Sequence, residues 1–224
     1  MKRFKLIAVI LTCVLCLAFV LTGCNNSNDN NSSNNGESNG NQITQPDDTP
    51  KDDSNILIAF FSRADENYGV GNIEKGNTHI LAEMIQAEVG GTLFHIQRAT
   101  PYPVVYSECT AEAQSEKNAN SRPALLNTID ISEYDVIFIG YPIWWGDMPM
   151  PVYTFIESQD WNGKTVIPFS TNEGSGLAGT VSTISAKCSG ATVLDALSMR
   201  GTTAQNNQSQ ARQSVRNWLN GLAI

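Results

Sequence analysis

Residues 136–149 read VIFIGYPIWWGDMP and join an apolar run to a loop of unusual composition. The run at 136–140 is short and rich in β-branched and aromatic residues, which is typical of a strand buried on both faces. The loop that follows has two tryptophans between a proline and a glycine, and indole rings offer large flat surfaces for stacking. The stretch therefore predicts a core strand that carries an aromatic loop to one edge of a sheet.

A second apolar run, ILIAFF at residues 56–61, ends at Ser62 and is followed later by Gly76-Asn77-Thr78. A helix is predicted to begin near Thr78, where free backbone N–H groups and the positive end of the helix dipole favour a phosphate. The hydroxyls of Ser62 and Thr78 can add hydrogen-bond donors. An ordinary N-cap by Asn77 or Thr78 is the simpler alternative.

Strands and helices alternate along the rest of the chain from residue 55. Alternation of this kind predicts an α/β domain with a parallel sheet covered by helices on both faces. Right-handed crossovers leave few arrangements of five strands, and the order 2-1-3-4-5 is one of them. The predicted strands are 56–61, 92–96, 136–140, 165–170 and 192–194, and the predicted helices are about 78–88, 106–118, 151–161, 179 onward and 204–222.

In this order the loops after strands one, three and four meet at one edge of the sheet, where such folds bind ligands. The third of these loops, residues 170–176, reads STNEGSG, and its glycines allow backbone amides to approach a ligand closely. A flexible loop without a ligand is the alternative.

Together the three loops resemble the FMN site of the flavodoxin-like family, and the resemblance covers residues 55–224. It implies a flavodoxin-like three-layer sandwich with FMN as cofactor. Because adjacent residues cannot both point the same way, only one tryptophan is expected to stack on the flavin, with Trp144 favoured; a tryptophan that simply closes the core is the alternative. The residues that the resemblance assigns to the cofactor are Ser62, Gly76, Asn77 and Thr78 in the first loop, Pro142, Ile143, Trp144, Trp145 and Gly146 in the second, and Thr171, Asn172, Gly174, Ser175 and Gly176 in the third.

One departure from the family pattern concerns the first loop. Typical flavodoxins keep the hydroxyl residue and Gly-Asn-Thr within one short loop, whereas residues 63–75 intervene here. Arg63, the first residue of this longer loop, is expected to be a solvated side chain, and help in neutralising the phosphate is the alternative. Residues 99–123, with Tyr102 and Tyr106, could wall a substrate pocket.

The N-terminal residues indicate export. A basic start, an apolar stretch at 6–20 and the sequence Leu21-Thr22-Gly23-Cys24 resemble a bacterial lipoprotein signal, which implies lipidation of Cys24. Residues 25–54 are rich in Asn, Ser, Asp and Gly and are expected to form a disordered tether. These features predict an extracytoplasmic domain, lipid-anchored to the bacterial cell membrane.

Charge narrows the choice of partners. Three of the 14 basic residues precede Cys24 and all 22 acidic residues follow it, so the chain from Cys24 onward has a net charge of −11. This charge disfavours nucleic acid and fits either solubility or docking to a basic redox partner. Cys109 and Cys188 are expected to be free, and His79 and His95 lack metal-ligand spacing, so no metal site is expected.

The sequence therefore favours an FMN-binding electron-transfer protein or oxidoreductase, with no essential acid–base residue because the flavin supplies the redox chemistry. Whether it is a carrier or a reductase stays open. Outside the cell a quinone or a membrane protein is a better electron partner than a nicotinamide nucleotide. The alternative is a flavin-free module of the same fold that serves protein–protein interaction.

Overall fold

The computed structural model describes residues 55–222 and residue 224. The predicted signal peptide, the lipidation site Cys24 and the tether at 25–54 lie outside these residues. The elements are β1 (Ile56–Phe60), β2 (Asp65–Asn67), β3 (Gly71–Ile73), α1 (Asn77–Val89), β4 (Thr92–His95), α2 (Tyr106–Asn118), β5 (Val136–Pro142), α3 (Met150–Glu157), β6 (Thr165–Asn172), α4 (Thr180–Lys187), β7 (Thr192–Val193), β8 (Leu197–Arg200), α5 (Gly201–Asn206) and α6 (Gln208–Leu219).

The main sheet is parallel, with the order β4-β1-β5-β6-β7. β1 lies between β4 and β5, and its last residue, Phe60, is in register with His95 on one side and Gly140 on the other. β7 pairs with the beginning of β6, at Thr165, whereas β8 pairs with the end of β6, at Asn172. The predicted fold class is confirmed, and β8 is a sixth strand that the sequence analysis missed.

Helices cover both faces of the sheet. Alternate residues of β1 enter two separate apolar cores, with Leu57 on one face and Ile58 on the other. α2, α3 and α4 pack on the first face, and α1, α5 and α6 on the second. Burial on both faces explains why β1 is apolar throughout instead of alternating. Both cores consist of residues between 56 and 219, so the chain from residue 55 contains complete cores of its own.

Two further elements differ from the sequence prediction. β2 and β3 form an antiparallel hairpin inside the long first loop, where no strand was predicted. The last helix was predicted as one segment, but it is interrupted at Asn207, whose backbone leaves the helical region at φ −139° and ψ 64°. The Asn207 side chain then caps α6 by accepting a hydrogen bond from the backbone N–H of Gln210.

No helix within the described part of the chain has the length and apolar character that crossing a membrane requires. Cys109 and Cys188 are both free and buried. Among the described residues, no three His, Cys, Asp or Glu side chains come close enough together to hold a metal ion.

Candidate functional site

A cavity of about 250 Å³ opens where the loops after β1, β5 and β6 meet. Half of the predicted cofactor residues line it, from all three loops: Asn77, Pro142, Ile143, Trp144, Trp145, Thr171 and Asn172. The sheet order therefore brings the three loops to one place, as the switch-point argument requires. The other predicted residues, Ser62, Gly76, Thr78, Gly146, Gly174, Ser175 and Gly176, are not part of the cavity wall.

Trp145 occupies the tip of a tight turn between Trp144 and Asp147. The backbone N–H of each end residue donates to the carbonyl of the other, at 2.9 and 3.0 Å. Trp145 has φ 54° and Gly146 has φ 72°, so both central residues are left-handed, as in a type I′ turn. This conformation suits glycine but costs a tryptophan about 1–3 kcal/mol, and strain of this kind clusters at functional sites.

The two tryptophans have different surroundings. Trp144 is partly buried and presents its edges to Phe61 and Tyr102, at centroid distances of 5.3 and 5.2 Å. Trp145 is 49% exposed, and its indole N–H donates to the carbonyl of Thr110 at 2.9 Å. Lys117 Nζ donates to the Trp145 carbonyl. Trp144 is thus a fixed wall of the cavity, whereas Trp145 keeps more free surface.

The first loop keeps the two halves of the predicted phosphate motif in contact. Ser62 and Gly76 are so close that a Cβ on Gly76 would lie 2.2 Å from Ser62 Oγ and 2.4 Å from the Arg63 carbonyl. The intervening residues project away as the β2–β3 hairpin. Ser62 Oγ accepts a hydrogen bond from the backbone N–H of His79 at 3.1 Å, so it also caps the first turn of α1.

The Thr78 hydroxyl was expected to be free to donate to a phosphate, but it makes a contact within the protein. Its Oγ1 lies 2.7 Å from Thr171 Oγ1, and both side chains are buried. This bond joins the start of α1 to the end of β6. The Asn77 side chain, one residue earlier, reaches the cavity, and its Oδ1 is buried with no hydrogen-bond partner among the described residues.

The third loop is organised around Asn172. Its Oδ1 accepts hydrogen bonds from the backbone N–H groups of Gly174 and Gly176, at 2.8 and 3.2 Å. These amides were expected to point towards a ligand, but here they are engaged within the loop. Glu173 lines the cavity, and its carboxylate accepts hydrogen bonds from the backbone N–H and hydroxyl of Thr202, at 2.7 and 3.1 Å.

Arg63 lines the cavity and is not the solvated side chain that was expected. Its guanidinium donates to the carbonyls of Glu66, Pro103 and Val104, at 2.5, 2.7 and 2.6 Å. These bonds join the hairpin to the segment that leads into α2. The Nε–H of Arg63 is buried and has no partner within the described part of the chain. A ligand with an acceptor atom could satisfy it.

Sequence reasoning missed much of the wall facing the tryptophans. The residues concerned are Arg63, Asn67, Tyr68, Cys109, Thr110, Ala113 and Glu173. Tyr106, Cys109, Thr110 and Ala113 follow the spacing of a single helix face, so periodicity within α2 could have identified them. Tyr106 does line the cavity, whereas Tyr102 lies behind Trp144, where its hydroxyl donates to Glu116.

Burial sets the protonation of several groups at or near the site. It raises the pKa of the Cys109 thiol and of the Tyr106 phenol, so both stay neutral at neutral pH. Burial lowers the pKa values of His79 and His95, which lie beside Phe60 under the first loop. The site therefore combines aromatic surface, neutral polar groups and two unpartnered polar atoms.

Residues 55–222 match the family model described as Flavodoxin. The chain belongs to the flavodoxin family. A comparison with curated proteins finds no match. Among solved structures, this flavodoxin is similar to a candidate flavoprotein from Bacteroides eggerthii, with 31% identity and a TM-score of 0.60, covering 76% of this chain and 99% of that one.

Two further structures resemble this flavodoxin. A candidate flavoprotein from Bacteroides uniformis is 30% identical, with a TM-score of 0.59, and the match covers 75% of this chain and 98% of that one. A flavoprotein from Lactobacillus acidophilus, solved in complex with FMN, is 22% identical with a TM-score of 0.50, over 70% of this chain and 99% of that one. The last likeness shows the fold alone.

Proposed function

We propose that this flavodoxin binds FMN in the cavity between the three loops and exchanges electrons with a redox partner. The observation that carries the proposal is the strained, half-exposed Trp145 at the wall of a cavity whose lining residues Arg63 and Asn77 each have one buried, unpartnered polar atom among the described residues. Its family membership and the FMN found with the Lactobacillus acidophilus flavoprotein support the choice of flavin.

The residues present fit such a cofactor. Trp145 offers an indole surface to a flat ring, and Trp144 closes the cavity behind it. The start of α1, next to the contact between Ser62 and Gly76, suits a phosphate because the amides of Asn77 and Thr78 have no intrahelical partner, whereas the amide of His79 bonds to Ser62 Oγ. Asn77 Oδ1 could accept from a ribityl hydroxyl, and Arg63 Nε could donate to a ligand oxygen.

Bound FMN would supply the one- and two-electron chemistry, and the protein would bind it, orient it and exclude water. Glu173 brings a carboxylate to the cavity wall, and a negative charge at this position disfavours further negative charge on a ligand. Cys109 and Tyr106 remain neutral because burial raises their pKa values. The wall therefore stabilises a neutral ring by stacking and shape, without an acid–base residue.

We also propose that the domain acts at the outer face of a bacterial membrane, anchored by lipid on Cys24, with a quinone or a redox protein as partner. The lipoprotein-like sequence ending at Cys24 and the acidic charge beyond it support this location. Membrane fractionation of the full chain and of Cys24→Ser tests it. The native chain should carry lipid and sediment with membranes, and Cys24→Ser should carry no lipid. If the two proteins fractionate alike and the native chain carries no lipid, the anchor is contradicted.

Titration with FMN tests the flavin proposal. A chain that starts at residue 25 keeps both cores and omits the signal, and it should quench flavin fluorescence saturably with submicromolar affinity. A parallel titration with riboflavin shows whether the affinity depends on the FMN phosphate. A titration with FAD shows whether the added adenosine monophosphate lowers the affinity. A folded protein that quenches none of the three contradicts the redox function and favours the interaction module.

A further inference from the structure

Exposed apolar side chains are concentrated at the mouth of the cavity. Of the seven large hydrophobic residues exposed in the described part of the chain, five lie on its wall or on the segment leading to it: Tyr68, Val104, Val105, Tyr106 and Trp145. We call Tyr68, Val104, Val105 and Tyr106 the apolar rim. Clustered exposed apolar surface of this kind marks an interaction site more often than scattered residues do.

The two tyrosines of the apolar rim come from different elements. Tyr68 lies at the tip of the β2–β3 hairpin and is 66% exposed, and Tyr106 begins α2 and is 40% exposed. Both line the cavity, and their rings are nearly parallel, with an interplanar angle of 30° and centroids 6.3 Å apart. Two flat aromatic surfaces beside a deeper cavity suit a flat aromatic ligand.

The side chains of Glu66 and Arg63 hold the rim in place by bonding to main-chain atoms, so the tyrosine rings are not needed for this purpose. A carboxylate oxygen of Glu66, in β2, accepts a hydrogen bond from the backbone N–H of Tyr106 at 2.8 Å. Arg63 donates to the carbonyls of Pro103 and Val104. The hairpin and the start of α2 are therefore joined by the Arg63 and Glu66 side chains, which leaves the exposed parts of the Tyr68 and Tyr106 rings available for a ligand.

The charges around the cavity restrict what the ligand can be. Arg63 is the only lysine or arginine among the cavity-lining residues that the structure describes, and three carbonyls engage its guanidinium. A nicotinamide nucleotide carries phosphates that need cationic or helix-end partners. The apolar rim supplies no cation, and the backbone N–H of Tyr106 at the start of α2 already donates to the Glu66 carboxylate. An uncharged ring loses little hydration on such a surface.

We infer that the apolar rim forms the outer part of the flavin cavity and binds, beside the flavin, a flat uncharged ring of the quinone class. The inference rests on the proposed function for the choice of a redox-active ring. A quinone takes up two electrons and two protons to become a hydroquinone, and a fully reduced, neutral flavin releases the same number on returning to its oxidised form. Tyr68 and Tyr106 would bind the ring by stacking.

Equilibrium dialysis with menadione, an uncharged naphthoquinone, tests the site on the FMN-saturated chain from residue 25. The variant Tyr68→Ala/Tyr106→Ala should bind menadione about tenfold more weakly, because it loses both stacking surfaces. Leu126→Ala is the matched control, since Leu126 is 56% exposed but lies away from the cavity wall, and its affinity should stay within about twofold of the parent. FMN affinity is measured separately for each protein.

Three outcomes would overturn the inference: no saturable menadione binding, equal binding by the double variant and the parent, or binding only to FMN-free protein with displacement by FMN. The first would leave the rim to a protein partner, and the third would show that the quinone takes the place of the flavin instead of binding beside it. If FMN itself does not bind, the proposed function fails. The parent and the double variant are then compared by menadione dialysis without FMN. Weaker menadione binding by the double variant supports the rim site, and no saturable binding by the parent overturns it.

Discussion

Trp145 has a backbone conformation that tryptophan disfavours, and its side chain is only half buried. If it provides the stacking surface, Trp145→Ala should weaken FMN binding by about tenfold while changing the free energy of unfolding by less than about 1 kcal/mol. Flavin fluorescence titration and urea unfolding measure the two effects.

Trp144→Ala is the comparison for this prediction. Because Trp144 packs against Phe61 and Tyr102, its removal should lower the free energy of unfolding by about 3 kcal/mol. The result that would reverse the assignment is an unchanged FMN affinity in Trp145→Ala together with a lost affinity in a folded Trp144→Ala. Trp144 would then be the stacking residue that the sequence favoured.

The buried hydrogen bond between Thr78 and Thr171 predicts that substitutions of the two residues have non-additive effects on the free energy of unfolding. Thr78→Val or Thr171→Val alone leaves one buried hydroxyl without its partner and should cost about 1–2 kcal/mol of unfolding free energy. The double variant replaces both hydroxyls by methyl groups and should lose less than the two single variants added together. Strict additivity in a urea-unfolding cycle would show that the two hydroxyls do not depend on each other.

At the scale of elements, the β2–β3 hairpin depends on Arg63. Arg63→Ala removes the bonds to Glu66, Pro103 and Val104, so the hairpin and residues 102–106 should open locally. Backbone amides in these two segments should exchange hydrogen at least about tenfold faster, while β1 and β5 keep the protection of the parent. Arg63→Lys should restore the protection of these amides only in part, because an ammonium group cannot reproduce the planar arrangement of N–H donors in a guanidinium. Uniformly faster exchange throughout would indicate a global effect instead.

Elements with a strong apolar pattern could be predicted from the sequence, and weakly apolar elements could not. β1 and β5 are buried on both faces, so their composition alone identifies them. β2 and β3 are three residues each and mostly polar, and they exist because Arg63 and Glu66 join the hairpin to the neighbouring segment. Only the three-dimensional arrangement creates that contact.

The candidate site shows the same division. Asn77 and the two tryptophans were predictable because each follows a strong strand or precedes a strong helix. Thr78 was predicted as a ligand, but its hydroxyl bonds to Thr171, a residue far away in sequence. Tyr68 was missed because its place at the cavity depends on the hairpin. The sequence thus shows which residues a loop brings to the site. It does not show that a distant residue forms a hydrogen bond with one of their polar groups.

For the whole molecule, the two histidines predict weaker stability in mild acid. Burial lowers the folded-state pKa values of His79 and His95, and the nearby Glu83 carboxylate, 3.5 Å from His79 Nε2, offsets this only in part. The unfolded chain then binds protons that the folded chain does not, so the free energy of unfolding decreases as pH falls through the ordinary histidine value near 6.5.

Urea unfolding at about pH 7.5 and about pH 5.5 measures this effect above the range in which most carboxylates titrate. Glu157 stays ionised over this interval, because its bonds to Arg122 and Lys187 lower its pKa to about 2. The variant His79→Gln/His95→Gln should show a smaller difference between the two pH values than the parent. Stability that is equal or higher at the lower pH in the parent would contradict the assignment.

The contact between Ser62 and Gly76 closes the hairpin segment at its base. The chain leaves this point and returns to it, so residues 63–75 form a cassette whose two ends are already joined. If Arg63 and Glu66 are kept, the rest of this cassette could be exchanged for another sequence, or lengthened, while the helix start beneath it keeps its shape. Variation in this one segment, in nature or by grafting, could therefore change which molecules approach the mouth of the cavity while the walls formed by the second and third loops stay the same.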